Sequence, residues 1–253
     1  MPVCEPEISF VMPCYNEEGI VSYTVTRLLA AFNKAGHRLE LIAVDNGSRD
    51  RTGEVICQLA AANPAIVPYR VEQNQGYGNG VLKGISLCAA PWVGIIPADG
   101  QVDAEDVVRL FEAATTAQYP VLAKVRRRFR MDGLERKIVS VAYNLFVRAL
   151  WPSLGSIDVN GTPKLLPREI VLAMCLESKD WFLDPEIMIK ARYMGVPVLE
   201  FNVFARMRGR GISHVRTSTC WEFFRNLLRY RLTGDWKGRV QKAASSAVEA
   251  TVA

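Results

Sequence analysis

The residues best suited to chemistry stand at the ends of apolar runs. Val93-Gly94-Ile95-Ile96 follows the breaker Pro91 and gives way to Asp99-Gly100-Gln101, with Asp103 close behind. Such a run predicts a buried strand. A carboxylate just past a strand's C-terminal end stands where open α/β sheets bind ligands. Carboxylate oxygen is also the ligand type that Mg²⁺ and Mn²⁺ favour. Taken alone, the segment reads equally well as an Asp-Gly turn at an exposed strand end. Two earlier runs share its build. Residues 8–12 end in Pro13-Cys14-Tyr15-Asn16-Glu17-Glu18, and residues 39–44 end in Asp45-Asn46-Gly47-Ser48. A later strand, 121–125, is followed by Arg126, Arg127, Arg128 and Arg130. Such a run is either a solvated charge patch or a phosphate site, since guanidinium pairs bidentately with phosphate.

These ends need elements to position them. Residues 19–35 place Val21, Val25, Leu28, Leu29 and Phe32 at helical spacing, with Glu17 and Glu18 in the favourable first turn. A second helix spans 52–62, with Ser48 or Asp50 as its cap. Residues 66–71 read as a third strand. Residues 76–88 read as a third helix, entered through Gly76-Tyr77-Gly78-Asn79-Gly80. The order β-α-β-α-β-α-β predicts a doubly wound, mostly parallel sheet with its polar loops along one edge. The glycine turn follows its strand by several residues and lacks the dinucleotide spacing, which argues against a NAD-binding fold.

At 253 residues and 49% hydrophobic, the chain suits one large α/β domain with a helical C-terminal region. The division expected is 1–216 for the domain and 217–253 for an amphipathic helical tail, its end frayed. No apolar run has the length to span a bilayer, and no leader pattern opens the chain. Two histidines and six scattered cysteines argue against zinc and suggest reduced, mostly core thiols in a cytoplasmic setting. The net charge of +5 is uneven: Lys124 joins the arginines at 126–130, and residues 206–239 form a second basic stretch. That distribution suits a phosphate-bearing or anionic membrane-surface partner. No nucleic-acid motif is present. Residues 134–151 carry Arg136, Ser140, Asn144 and Arg148 as a polar stripe on an apolar helix. Residues 221–236 mix aromatic and leucine side chains with Arg225, Arg229 and Arg231. Either segment suits a peripheral membrane contact, a homodimer contact or core packing.

The motifs add a resemblance. Met12-Pro13-Cys14-Tyr15-Asn16-Glu17 resembles the P-x-Y-N-E opening of family 2 glycosyltransferases. Residues 44–52 resemble their V-D-D-G-S-x-D-x-T element, and 74–84 their N-x-G-x-G-x-A-x-x-x-G helix start. Asp99-Gly100-Gln101 is similar to the end of D-A-D-x-Q. The branch most resembled is the polyprenyl-phosphate (dolichol-phosphate) mannosyl- or glucosyltransferases. Weaker likenesses continue to residue 216: 158–164 to D-x-x-x-G-x-K, Asp184-Pro185-Glu186 to F-D-x-E-L, and 208–214 to R-x-x-G-x-S-K.

The resemblance implies a GT-A type fold and an inverting transfer from a UDP- or GDP-linked sugar to a lipid phosphate. It places Asp99 and Gln101 at an Mg²⁺ or Mn²⁺ ion, with Pro97 standing where the first D-x-D aspartate is expected. Pro13, Tyr15, Glu17, Asp45, Asn46 and Gly76 would line the nucleotide-sugar pocket. Asn46 replaces the second aspartate of its motif. Arg127, Arg136 and Ser213 would meet the acceptor phosphate. Asp184 stands where relatives acting on hydroxyl acceptors keep a catalytic base, and reads equally as a helix cap. A soluble hydroxyl acceptor, or an inactive nucleotide-sugar-binding protein, is the alternative.

Overall fold

A computed structural model describes residues 5–129, 134–152, 154–156, 158–204, 217–234, 236–238 and 240, with side chains described except at 127–129, 134–141 and 217–224. In chain order the elements begin β1 (Ile8–Cys14), α1 (Val21–Lys34), β2 (Leu39–Asp45), α2 (Thr52–Ala62), β3 (Ile66–Arg70) and α3 (Tyr77–Ile85). Next come β4 (Trp92–Ile95), α4 (Ala104–Thr115), β5 (Leu122–Phe129) and α5 (Leu134–Leu150). The rest are β6 (Lys164–Pro167), α6 (Arg168–Ala173), α7 (Leu183–Tyr193), β7 (Val198–Phe204) and α8 (Thr217–Thr233).

The seven strands form one sheet in the order β3-β2-β1-β4-β6-β5-β7. Strands β1 to β4 pair in parallel, as does β5 with β7, and β6 runs antiparallel to both its neighbours. The sheet is thus doubly wound and mostly parallel, as expected. Strand order reverses between β1 and β4, and the crevice beyond such a switch point is where these sheets receive ligands.

Alternation along the strands feeds two apolar layers. Val11, Ile42, Val44, Val93 and Ile95 face the cluster that α3, α5, α7 and α8 complete through Val81, Val147, Ile187 and Leu227. Phe10, Met12, Leu41 and Leu165 face the other, filled by Val25, Leu28 and Phe32 of α1 and by Leu110 and Phe111 of α4. Strands covered on both faces explain the near-continuous apolar runs.

Four features depart from the sequence reading. Strand β5 extends beyond residue 125, so Arg126 to Arg128 lie within a strand, because β7 offers backbone partners as far as Phe129 opposite Phe204. The D-x-x-x-G-x-K likeness at 158–164 runs into a strand, β6, that no apolar alternation in the sequence predicts. Lys124 is not part of an exposed basic cluster: it is fully buried. Its ammonium bonds the Val125 and Asp158 carbonyls, Ser156 Oγ and Glu200 Oε1 at 2.7–3.1 Å. Among the described side chains the cysteines are not mostly core: Cys14 and Cys88 are buried, whereas Cys57 and Cys175 are exposed.

The C-terminal helix packs inward. Leu227, Trp236 and Val240 join the first cluster. Tyr230 stacks on Trp236 with ring centroids 4.8 Å apart, and Phe182 and Tyr193 close edge-on around that pair.

Candidate active site

The loops after β1 and β2 are tied to each other. The Asn46 N–H donates to the Cys14 carbonyl at 2.8 Å. The Asn16 N–H donates to Ser48 Oγ at 3.1 Å and the Glu17 N–H to Thr52 Oγ1 at 2.8 Å. In return the Arg49 N–H donates to Asn16 Oδ1 and the Arg51 N–H to Glu18 Oε2, both at 2.9 Å. Loop side chains thus satisfy backbone donors that the sheet and helices leave open. The result holds Pro13, Tyr15, Glu17 and Asp45 along one rim. Asp50 accepts the Thr52 N–H at 3.0 Å from one position before the helix N-cap, Arg51. Burial pushes the Asp50 carboxyl up, but the hydrogen bonds from Thr52 and Glu18 outweigh it and hold it below the usual range.

Asp45 ends β2 and is 2% exposed. Its Oδ1 accepts the Ser48 N–H at 2.9 Å. Its Oδ2 accepts no hydrogen bond but lies 3.5 Å from the Arg70 guanidinium, which β3 places directly opposite in register. Burial, then the charges of Glu17 and Asp45, pushes the neighbouring Cys14 thiol far up. Both carboxylates therefore act on one buried spot.

Asp99 follows β4 across the switch point. It is 6% exposed, not at an open strand end as expected, because α1 folds over the turn. Thr24 Oγ1 of that helix donates to the Ala98 carbonyl at 2.8 Å, and Asp99 Oδ1 accepts the Gln101 N–H at 3.1 Å. Among the described residues, no group of three or more His, Cys, Asp or Glu side chains could hold a metal unaided.

Asn46 is 3% exposed, and its Nδ2 donates to the Gly76 carbonyl at 3.0 Å. That bond joins the end of β2 to the glycine turn that opens α3.

Asp184 sits in the first turn of α7, whose N-cap is Phe182, so it is not the cap. Its Oδ1 lies 2.5 Å from Lys164 Nζ, and both side chains are buried. The same charge acts on Tyr143: burial, then Asp184 and Asp180, pushes that hydroxyl far above the usual tyrosine range. Nearby, buried Glu186 accepts the Ser178 N–H at 2.9 Å and pairs with Lys190 at 2.6 Å, fixing the entry to α7.

The structure brings the Pro13–Glu17 loop, Asp45, Asn46, Gly76 and Asp99 to one end of the sheet. Arg127 and Arg136 belong to β5 and α5 by backbone, but their side chains lie outside the described residues, as does the whole of Ser213. Sequence reasoning missed Arg70 and Lys164. Arg70 ends its strand as Asp45 does, and aligning the two ends would have paired them. Lys164 closes the D-x-x-x-G-x-K likeness, but nothing in that motif points to its partner, which is twenty residues away on another element.

Comparison with known proteins fits this geometry. A sequence profile described as Glycosyl transferase family 2 matches residues 9–172. The chain belongs to that family. Among curated relatives is the undecaprenyl-phosphate 4-deoxy-4-formamido-L-arabinose transferase of Pectobacterium atrosepticum, 35% identical over 143 residues, or 56% of this chain and 43% of the relative. The enzyme of the same name from Aeromonas hydrophila is 32% identical over 178 residues, 70% of this chain and 54% of the relative. The chain thus spans about half the length of the curated relatives it matches. Among solved structures, glucosyl-3-phosphoglycerate synthase from Mycobacterium tuberculosis in complex with Mn²⁺, UDP and phosphoglyceric acid superposes with a TM-score of 0.68. Its identity is 21%, covering 89% of this chain and 78% of that one. Mannosyl-3-phosphoglycerate synthase from Rubrobacter xylanophilus gives 0.70 at 18% identity, covering 91% and 75%. The family 2 member described here therefore has the GT-A type fold.

Proposed function

We propose that this family 2 chain is an inverting glycosyltransferase that moves a sugar from a UDP- or GDP-linked donor to a polyprenyl-phosphate-type lipid. The observation that carries the choice of acceptor is the Lys164–Asp184 pair. A hydroxyl nucleophile needs a general base near neutral pH. The one carboxylate suggested for that task is buried and spent on a lysine. A phosphate monoester arrives ionised and needs no base. Its oxygen attacks C1 of the sugar, the C1–O bond to the diphosphate breaks, and the single displacement inverts C1. The names of the two relatives described above, both undecaprenyl-phosphate transferases, support the same acceptor class.

Asp45, with Arg70 behind it, would hold the base of the nucleotide, and Pro13, Tyr15 and Glu17 would line the nucleoside pocket. Asp99 with Gln101 would hold Mg²⁺ or Mn²⁺. The donor set fits, because Mg²⁺ binds through one or two carboxylates and completes its shell with phosphate oxygens and water. When bound, that cation supplies charge against the leaving diphosphate. Arg127, Arg136 and Ser213 remain the residues proposed for the acceptor phosphate.

No helix among the described residues is long and apolar enough to cross a membrane. A lipid acceptor would be met at the surface, and the outer sides of α5 and α8 offer the means. Leu145, Leu228 and Leu232 are 68%, 45% and 79% exposed, beside exposed Arg148, Arg225, Arg229 and Arg231. Peripheral association with an anionic cytoplasmic leaflet follows. The deciding experiment is a panel of UDP- and GDP-sugars offered with polyprenyl phosphate and Mn²⁺. Sugar transfer to the lipid is expected. Transfer only to soluble hydroxyl acceptors, or tight nucleotide binding with no turnover, would overturn the proposal.

A further inference from the structure

Resting on the reading of this pocket as a nucleotide-sugar site, we infer that Asn46 is a positioning residue that latches the glycine turn at 76–80 to the end of β2, and that it does so only as an amide. The Gly76 carbonyl receives two donors. Asn46 Nδ2 reaches it at 3.0 Å, whereas the first backbone bond of α3, from the Gly80 N–H, reaches it only at 3.5 Å. The side chain is the closer partner of that carbonyl. Chemistry fixes the orientation of the amide: a carbonyl oxygen takes a donor, so nitrogen faces Gly76 and oxygen faces away. That Oδ1 is buried and accepts no hydrogen bond.

The surroundings are cut to fit this side chain. A Cβ on Gly80 would lie 2.9 Å from Asn46 Cγ, so only glycine leaves the amide its place. From the other side, the turn is clamped by the 178–180 backbone. Gly76 has φ +110° with the Lys179 carbonyl 2.3 Å from where a Cβ would stand, and the Asn79 N–H donates to that same carbonyl at 2.9 Å. Tyr77 stacks on Trp181 at 4.8 Å. The start of α3 is therefore held between Asn46 and the segment that leads into Asp184.

The motif that residues 44–48 resemble has an aspartate at this position. A carboxylate has no N–H to give, and it would set an oxygen against the Gly76 carbonyl oxygen. The charges facing this region would not help. Asp45 adjoins on β2, Glu17 of the β1–α1 loop acts on the same Cys14 thiol, and Arg70 of β3 already lies against Asp45. A buried, unpaired acceptor beside like charges is costly and raises the pKa of the group that carries it. The chain thus takes its glycine turn in a form that the amide locks and a carboxylate would open.

The test uses the full chain without ligand, then with UDP as the probe. Hydrogen exchange at amides 76–80 and calorimetric UDP binding are compared among the original chain, Asn46→Asp and Gly80→Ala, always at matched pH. At pH 8, Asn46→Asp should speed exchange and weaken UDP binding, each about tenfold. Toward pH 5 the introduced carboxyl takes up a proton, its O–H donates to the Gly76 carbonyl, and both differences should close. Gly80→Ala pushes the amide aside and should show both defects at every pH. Exchange in Asn46→Asp equal to the original chain at pH 8, or a defect that does not change with pH, would overturn the latch. If Asn46→Asp fails to fold, Gly80→Ala decides by the same exchange measurement. An original chain that binds neither UDP nor GDP would sink the nucleotide-sugar reading, while ligand-free exchange still judges the latch.

Discussion

Lys164 and Asp184 form a buried ion pair, 2.5 Å between ammonium and carboxylate, that joins the antiparallel strand β6 to the first turn of α7. The pair lies one strand away from a second buried lysine, since Lys124 is the register partner of Lys164. Two buried ammonium groups side by side are held by separate carboxylates, Asp184 for one and Glu200 for the other. Such pairs contribute little net stability over an apolar core, yet breaking one partner out is expensive.

Removing the lysine therefore probes structure more than chemistry. Lys164→Met leaves Asp184 buried and unpaired and should cost about 3–5 kcal/mol in denaturant unfolding. Asp184→Asn should destabilise the fold while leaving the rate of transfer to polyprenyl phosphate within about tenfold of the original, the span of one 1.4 kcal/mol barrier change. A collapse in rate with the fold intact would return Asp184 to the role of base.

Asp99 should behave in the opposite way. Its carboxylate accepts the Gln101 N–H, and the amide oxygen of Asp99→Asn can accept it as well, so that substitution should cost about 1 kcal/mol of stability. Loss of the charge that meets the cation should lower turnover by about 10²–10³. Calorimetry should show Mn²⁺ no longer strengthening UDP binding. Unchanged turnover would remove Asp99 from the metal site.

Lys124 makes stability depend on pH in the alkaline range. Burial, and then the neighbouring Lys164, pushes its pKa down to about 8 from 10.5. Between those values the unfolded chain holds a proton that the folded chain has released. Stability contributed by this group therefore rises from pH 8 to 10.5 and is lost as pH falls through 8, over a range of about 3 kcal/mol. Unfolding curves of the original chain and Lys124→Met should diverge in slope across that window. Parallel curves would show that Lys124 keeps an ordinary pKa through its four hydrogen bonds.

The exposed leucines and arginines of α5 and α8 predict binding to anionic vesicles at low ionic strength. Each arginine near the surface should add about 1 kcal/mol. Salt should weaken the association by screening. Arg225→Glu combined with Arg229→Glu, both at exposed positions, should abolish co-sedimentation without unfolding the chain. Self-association in place of vesicle binding would identify the same face as a homodimer contact.

Much of this protein was legible in its sequence because the information is local. Apolar runs bounded by breakers located β1, β2 and β4 to within a residue or two, and turn chemistry placed Asp45 and Asp99 at their ends. The parallel order followed from alternating periodicities, which reflect hydrogen bonding and burial along a single element. Tertiary structure alone decided the rest, because those features arise between elements distant in sequence. The entry of β6 against the grain of the sheet put Lys164 beside Asp184, and the pairing of β5 with β7 put Lys124 opposite Glu200, turning residues that read as surface charge or catalytic base into buried pairs. The packing of α1 over the Asp99 turn closed what the sequence left open. The contact between Asn46 and Gly76 spans thirty residues, and no periodicity foretells it. Whether a polar side chain meets solvent, substrate or a buried partner is settled only when two separate elements approach to within a hydrogen bond.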